Sequence, residues 1–139
     1  MKEMPAPARE LLNAMLGEPF ARGLEAAARQ GFGAPLAEIA IRYAFTDVWN
    51  RPGLGRRERS IMTLGMLVAL GLPNELKNHV RAGLANGLTP QEIEELIVHA
   101  SVYVGLPRAG EAMQAATAVL REQGLIDGGN RTAAERGLL

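Results

Sequence analysis

Apolar residues recur along this chain at helical spacing, with no sustained alternation of the kind a half-buried strand shows. Pro5 and Pro7 open it, and residues 8–17 (ARELLNAMLG) predict a short amphipathic helix ended by Gly17. Residues 18–30 predict a second, closed by Gly31 and Gly33. From Pro35 onward, Leu36, Ile39, Ala40, Tyr43 and Ala44 repeat at helical spacing, which predicts a third helix running out near Trp49. Residues 50–55 (NRPGLG) form a loop by their Pro and Gly content. A fourth helix, from about Arg56 to Gly71, carries the longest apolar run, interrupted only by Thr63. It is apolar all round and is expected to be buried. Gly65 and Ala69, one turn apart, leave room there for another helix to approach.

Pro73 starts the next helix, which Gly87 closes. Thr89-Pro90-Gln91-Glu92 is a helix start: Thr89 caps, Pro90 suits the first position and Glu92 completes a capping box. That helix is expected to reach about Val104, where Gly105 and Pro107 make a break. A last long helix, residues 108–123, ends at Gly124, and residues 125–139 are a polar tail. The expected fold is all-α, with six or seven short helices in one domain over residues 1–139.

Composition narrows the function. Fifteen Lys and Arg balance fifteen Asp and Glu, so no net basic field exists to hold a nucleic acid. Cysteine is absent, which removes disulfide scaffolds, Cys-ligated zinc, iron–sulfur clusters and thiol peroxidase chemistry together. The apolar run is too short to span a bilayer, and the N-terminal residues lack a signal peptide's apolar centre. A soluble cytoplasmic protein is expected.

Three clusters carry candidate chemistry. Trp49, Arg51, Arg56, Arg57, Arg59 and Ser60 surround the loop and the fourth helix's first turn. Cations are disfavoured there, because a helix N-terminus is already partly positive, and Glu58 offsets this only partly. For any single arginine a solvated basic turn with internal salt bridges is the plainer reading; for the whole cluster beside the Arg-Pro-Gly loop an anion site is favoured, because backbone N–H groups, dipole and guanidinium forks would act together. Glu75 and His79, four residues apart, share a helix face as a tuned proton-transfer pair or a surface ion pair. Glu95, His99 and Tyr103 repeat that spacing, with His99 near the apolar face of Ile93, Leu96, Ala100 and Val104; a histidine satisfied at a packing or subunit interface is the plainer reading there. The two Glu-His pairs are a weak metal signal, and no metal is expected. Lys77 is better read as solvated than as a Schiff-base lysine.

Trp49-x-Arg51-Pro52-Gly53-Leu54, Arg57-x-Arg59-Ser60, His79-x-x-Ala82-x-x-x-Asn86-Gly87 and Ala100-x-x-Tyr103-x-Gly105-x-Pro107 together resemble the carboxymuconolactone decarboxylase family, over roughly residues 35–123. The resemblance implies an alkyl-hydroperoxidase-D-like helical fold assembled as a homo-oligomer, a trimer or a hexamer. Peroxidase-type members carry a Glu, a Cys-x-x-Cys and then a His. Here Ser60 stands at the Glu, Leu72 and Glu75 stand at the cysteines, and only His79 is retained. The cysteine-free branch is implied instead. Its reaction removes CO2 from 4-carboxymuconolactone, giving 3-oxoadipate enol-lactone in the β-ketoadipate pathway of aromatic degradation.

That chemistry supplies its own electron sink, so no cofactor is implied. The resemblance assigns His79 as proton donor, with Glu75 as tuner or participant and Ser60 as a hydrogen-bonding partner of lactone or histidine. Arg51 and Arg59, with Arg57 as substitute, are assigned to carboxylate or enolate recognition. Trp49 and Tyr103, with His99, are expected to wall the pocket against water. The implied partner is a small carboxylated lactone, with no nucleic acid and no membrane. Two other readings stay open: a non-catalytic oligomeric scaffold, and a metal-dependent enzyme using the Glu-His pairs.

Overall fold

Thr89 begins its helix as its sequence foretells. Its hydroxyl accepts from the Glu92 N–H, and the Glu92 carboxylate accepts from the Thr89 N–H, both at 3.1 Å. The computed structural model describes Met1, residues 3–127 and Gly137, and among these residues every regular element is helical. The elements are α1 (Ala6–Leu16), α2 (Glu18–Arg29), α3 (Ala34–Ile39), a π-helical segment (Ala40–Val48), α4 (Arg56–Leu70), α5 (Pro73–Ala85), α6 (Pro90–Val104) and α7 (Leu106–Glu122). The all-α expectation is met. Of the expected polar tail, residues 128–136 and 138–139 lie outside the described residues, and Ile126 packs on the second unit's core.

The chain divides into two compact units, Met1–Arg59 and Ser60–Leu139, with the boundary inside α4. In the first, Met4, Ala8, Leu12, Ala21, Ala28 and Ile41 form a small core, with Phe20, Leu24 and Phe45 packed against it. Glu25 is the polar knot of this unit and is only 8% exposed. Its Oε1 accepts from the Met4 N–H and from Arg9 Nη2, each at 2.8 Å, and Arg29 lies 3.5 Å away. The Met4 hydrogen bond, then that from Arg9, holds the carboxyl far down, from 4.5 to about 2, although burial alone would raise it. The predicted third helix is α3 running on into the π-helical segment. There the Trp49 N–H reaches back five residues to the Ala44 carbonyl at 2.9 Å, and Thr46 Oγ1 donates to the Ile41 carbonyl. Hydrophobic spacing over so short a stretch does not distinguish this wider turn from an α-helix.

In the second unit α7 packs against both α5 and α6. Its inward residues include Ala109, Ala112, Ala115 and Ala116, whose small side chains let the flanking helices close in with Leu76, Val80, Ile93 and Ile97. α4 differs from expectation. It buries only Ser60, Leu64 and Val68, spaced four residues apart, whereas Met62, Met66 and Leu70 lie open at 62, 48 and 63% exposure. An apolar composition all round therefore does not mean enclosure within this chain. Among the described residues, no helix is long and apolar enough to cross a membrane.

The Glu25 knot predicts an acid-sensitive first unit. A carboxylate whose folded pKa is depressed contributes stability that is fully present above its ordinary value of 4.5 and is lost as pH falls toward about 2. Denaturant unfolding over that window should show the loss in the wild type and a flatter profile in Glu25→Gln. Charge-assisted hydrogen bonds contribute about 1.5–3 kcal/mol each, so Glu25→Ala should cost ~2 kcal/mol or more at neutral pH.

Candidate functional site

In the first unit, the end of the π-helical segment sets the Arg51 loop. Trp49 is nearly buried and anchors the chain, and Asn50 Nδ2 donates to the Phe45 carbonyl at 2.8 Å and to the Thr46 carbonyl at 3.2 Å. These bonds satisfy carbonyls that the helix end leaves open. The Arg51 N–H then donates to the Val48 carbonyl at 3.2 Å.

Arg59 closes the other side of this loop. Its Nε donates to the Leu54 carbonyl at 3.1 Å and its Nη2 to the Arg51 carbonyl at 3.2 Å. Its backbone N–H donates to the Gly55 carbonyl, so side chain and main chain together stitch residues 51–55 to the first turn of α4. Its side chain thus holds the loop with two of its donors, a different task from the carboxylate recognition expected of it. Arg51 is exposed, and its guanidinium has no protein partner among the described residues. Arg57 is half-buried beside it in sequence, and Arg56 is exposed.

In the second unit, α5 presents Glu75 and His79 on one face. Glu75 is exposed and His79 half-buried. Removal of water lowers the imidazole below its ordinary 6.5, and the Glu75 charge opposes that shift with a smaller effect. His79 is therefore mostly neutral at pH 7 in the free protein. Lys77, two residues from His79, is directed to another side of the helix.

Ser60 stands wholly buried on α4, and its Oγ accepts from Asn86 Nδ2 at 2.9 Å. It was expected to hydrogen-bond lactone or histidine. Its enclosure instead gives it a partner at the end of α5, and no solvent-open face. Asn86 belongs to the sequence pattern around His79 but had no role in the sequence reading; its seven-residue spacing from His79, which puts both on one face, was the available signal.

On α6, His99 and Tyr103 are both exposed, Tyr103 at 77%, and their rings meet at 5.3 Å and 45°. His99 is thus open to solvent beside Tyr103, and among the described residues neither is enclosed within this chain. The sequence candidates divide between the units: Trp49, Arg51, Arg57 and Arg59 in the first, and Ser60, Glu75, His79, His99 and Tyr103 in the second. Among the described residues, no three His, Asp or Glu side chains gather as a metal-ion set, so neither Glu-His pair acquires a third ligand.

The model of the Carboxymuconolactone decarboxylase family matches residues 34–118, which include every candidate named above. A 4-carboxymuconolactone decarboxylase of Acinetobacter baylyi is 43% identical over 94 residues, covering 68% of this chain and 70% of that protein. The nitrosuccinic acid decarboxylase npaB of Metarhizium robertsii is 43% identical over 82 residues, covering 59% of this chain and 57% of that protein. An uncharacterized 15.0 kDa protein from the nqo9-nqo10 intergenic region of Paracoccus denitrificans is 36% identical over 81 residues, covering 57% of this chain and 60% of that protein.

The loop geometry makes its own prediction. Arg59→Ala removes two hydrogen bonds to carbonyls of residues 51 and 54, each worth about 1 kcal/mol. Hydrogen exchange measured by mass spectrometry should then accelerate in peptides covering residues 50–55, with the α6 and α7 peptides unchanged. Unchanged exchange in the loop would show that Arg59 does not hold it.

Proposed function

The chain belongs to the carboxymuconolactone decarboxylase family, and from that premise we propose that it is a carboxy-lyase acting on 4-carboxymuconolactone or a closely related carboxylated lactone. The observation that carries this reading is the 43% identity to a decarboxylase of that substrate, over a length that covers 70% of the relative. The second decarboxylase relative supports the reaction class on chemical grounds. Nitrosuccinic acid and the lactone both hold an electron-withdrawing group that can receive the electron pair left when CO2 departs.

The proposed reaction runs as follows. The bond between the lactone ring and one carboxylate breaks and CO2 leaves. The electron pair moves through the ring double bond onto the lactone carbonyl oxygen as an enolate. A proton from the His79 imidazolium then reaches carbon as the enolate collapses, and His79 recovers its proton from solvent. Glu75 favours the charged imidazole against the burial that opposes it. Arg51, with its guanidinium unengaged, takes the carboxylate that stays, and Arg57 is its substitute. Arg59 serves by holding the Arg51 loop. The departing carboxylate is kept away from arginine, since binding it as an anion would oppose its loss. Trp49 walls the pocket against water.

We further propose a homo-oligomer, a trimer or hexamer. Its support is the apolar surface left open on separate elements: Leu36 and Tyr43 in the first unit, and Met62, Met66, Val98 and Val102 in the second. The exposed pair of His99 and Tyr103 belongs with that surface.

The experiment is ultraviolet-monitored turnover of freshly generated 4-carboxymuconolactone, with CO2 followed in parallel. Wild type should turn over. His79→Ala should lower kcat about 10²- to 10⁴-fold, the usual range for losing a general acid. Arg51→Ala should raise KM about 10- to 100-fold, as expected when a charge-assisted anchor is lost. The pH profile follows from the lowered imidazole: kcat/KM should fall as pH rises through a value below 6.5, because the protonated form is the donor. The kcat limb should sit at higher pH, because bound anionic substrate favours the imidazolium. Wild-type rates in His79→Ala would sink the proton-donor assignment.

A further inference from the structure

Asn86 has no part in the chemistry above, yet its half-buried side chain bonds the fully buried Ser60 and so joins the end of α5 to α4. His79, Gly83 and Asn86 follow one another at four and three residues along α5, so they lie on one face. Two of the three meet α4. Asn86 Nδ2 donates to Ser60 Oγ at 2.9 Å, and a Cβ built on Gly83 would stand 3.5 Å from Leu64 Cδ1. At its last turn α5 thus presents to α4 the same face that carries His79.

The two helices are joined by the turn at Gly71 and Leu72. Ser60 is near the start of α4 and Asn86 is the residue that follows the last turn of α5, so their bond closes the end remote from that turn. At the turn end, Arg108 Nη1 donates to the Leu70 carbonyl at 3.0 Å. Between these two polar anchors α4 buries only Leu64 and Val68. Apolar contact of this kind tolerates sliding, whereas a hydrogen bond between enclosed groups specifies one register. The bond ties one position on α4 to one at the end of α5, and so specifies register.

We propose that the hydrogen bond between Asn86 and Ser60 is a register lock that keeps α4 over the His79 face of α5, which makes Asn86 a positioning residue for the imidazole. The functional meaning rests on His79 as the reacting group. Glu75, on its own helix, favours the charged imidazole and opposes the larger effect of burial. Residues 60–70 of α4 carry no charge, so on this proposal α4 would act on the imidazole by keeping water from it. On α7, Arg108 is engaged by the Leu70 carbonyl and Glu122 by Arg81, while Glu111 is exposed.

The test reads His79 directly, by NMR titration of the two imidazoles in the full chain, with exposed His99 as internal reference. In Asn86→Ala and in Ser60→Ala, His79 should titrate higher than in wild type, toward the ordinary 6.5, because water regains access to the imidazole. The double variant should shift no further than either single, because one bond is lost in all three. Ser60→Thr, which keeps the hydroxyl, should titrate as wild type. On the lactone, the Ala variants should lose kcat more than they change KM. A folded Asn86→Ala in which His79 titrates as in wild type overturns the lock. Should the Ala variants not fold, the wild type decides: the Asn86 side-chain amide protons should exchange more slowly than those of exposed Asn74, and equal rates overturn the proposal. Wild type that turns over no lactone while the titration shifts appear supports the lock and removes the lactone reading.

Discussion

α4 is attached along a narrow strip. Of its second-unit residues, only Ser60, Leu64 and Val68 are buried, and its ends are held by polar contacts from Asn86 and Arg108. Much else depends on that attachment. α4's first turn carries Arg57 and Arg59, which hold or flank the Arg51 loop, and its Ser60 and Leu64 meet the last turn of α5. A helix held by a broad greasy face would tolerate small slips. One held by three buried side chains and two hydrogen-bonded ends has a specified register. Gly71 belongs to the same constraint. It adopts φ +67, and a Cβ there would collide with the Arg108 guanidinium at 1.5 Å, so a side chain at this turn would both strain the backbone and displace the clamp.

Helical spacing and terminal signals made most of the elements legible. The capping box at Thr89 and Glu92 needs only local geometry, and so survives folding unchanged. The π-helical turn before Trp49 was not legible, because apolar spacing over two turns does not separate one helix type from another. Nor was the open face of α4. Its composition is apolar on every side, and does not reveal that Met62, Met66 and Leu70 lie open.

The candidate site shows the same split between residue type and residue task. The sequence picks out the arginines around residues 51–59 by their conflict with a helix N-terminus. It cannot distinguish Arg51, whose guanidinium remains unengaged, from Arg59, whose donors are turned inward onto backbone carbonyls. That assignment depends on loop conformation. Ser60 is similar: as a hydroxyl near charged residues it invites a catalytic reading, and enclosure with Asn86 gives it a mechanical one. Glu25 was invisible for the opposite reason. A lone Glu on an amphipathic helix is ordinary, and only the fold brings the Met4 N–H and Arg9 onto one of its oxygens.

The electrostatics of His79 contain a tension that the proposed reaction resolves. Burial makes the free imidazole reluctant to hold a proton, and Glu75 only partly restores it. A better solvated histidine would be protonated more often, but it would deliver that proton in competition with water. An anionic substrate changes the balance as it binds, because its negative charge and the growing enolate both favour the imidazolium. The dry environment that depresses the empty site then strengthens the attraction in the occupied one. On the proposed reaction, an α4 locked over the His79 face and a proton-donating His79 would form one device. Loosening α4 would make the imidazole easier to protonate in the free protein and less effective with substrate bound.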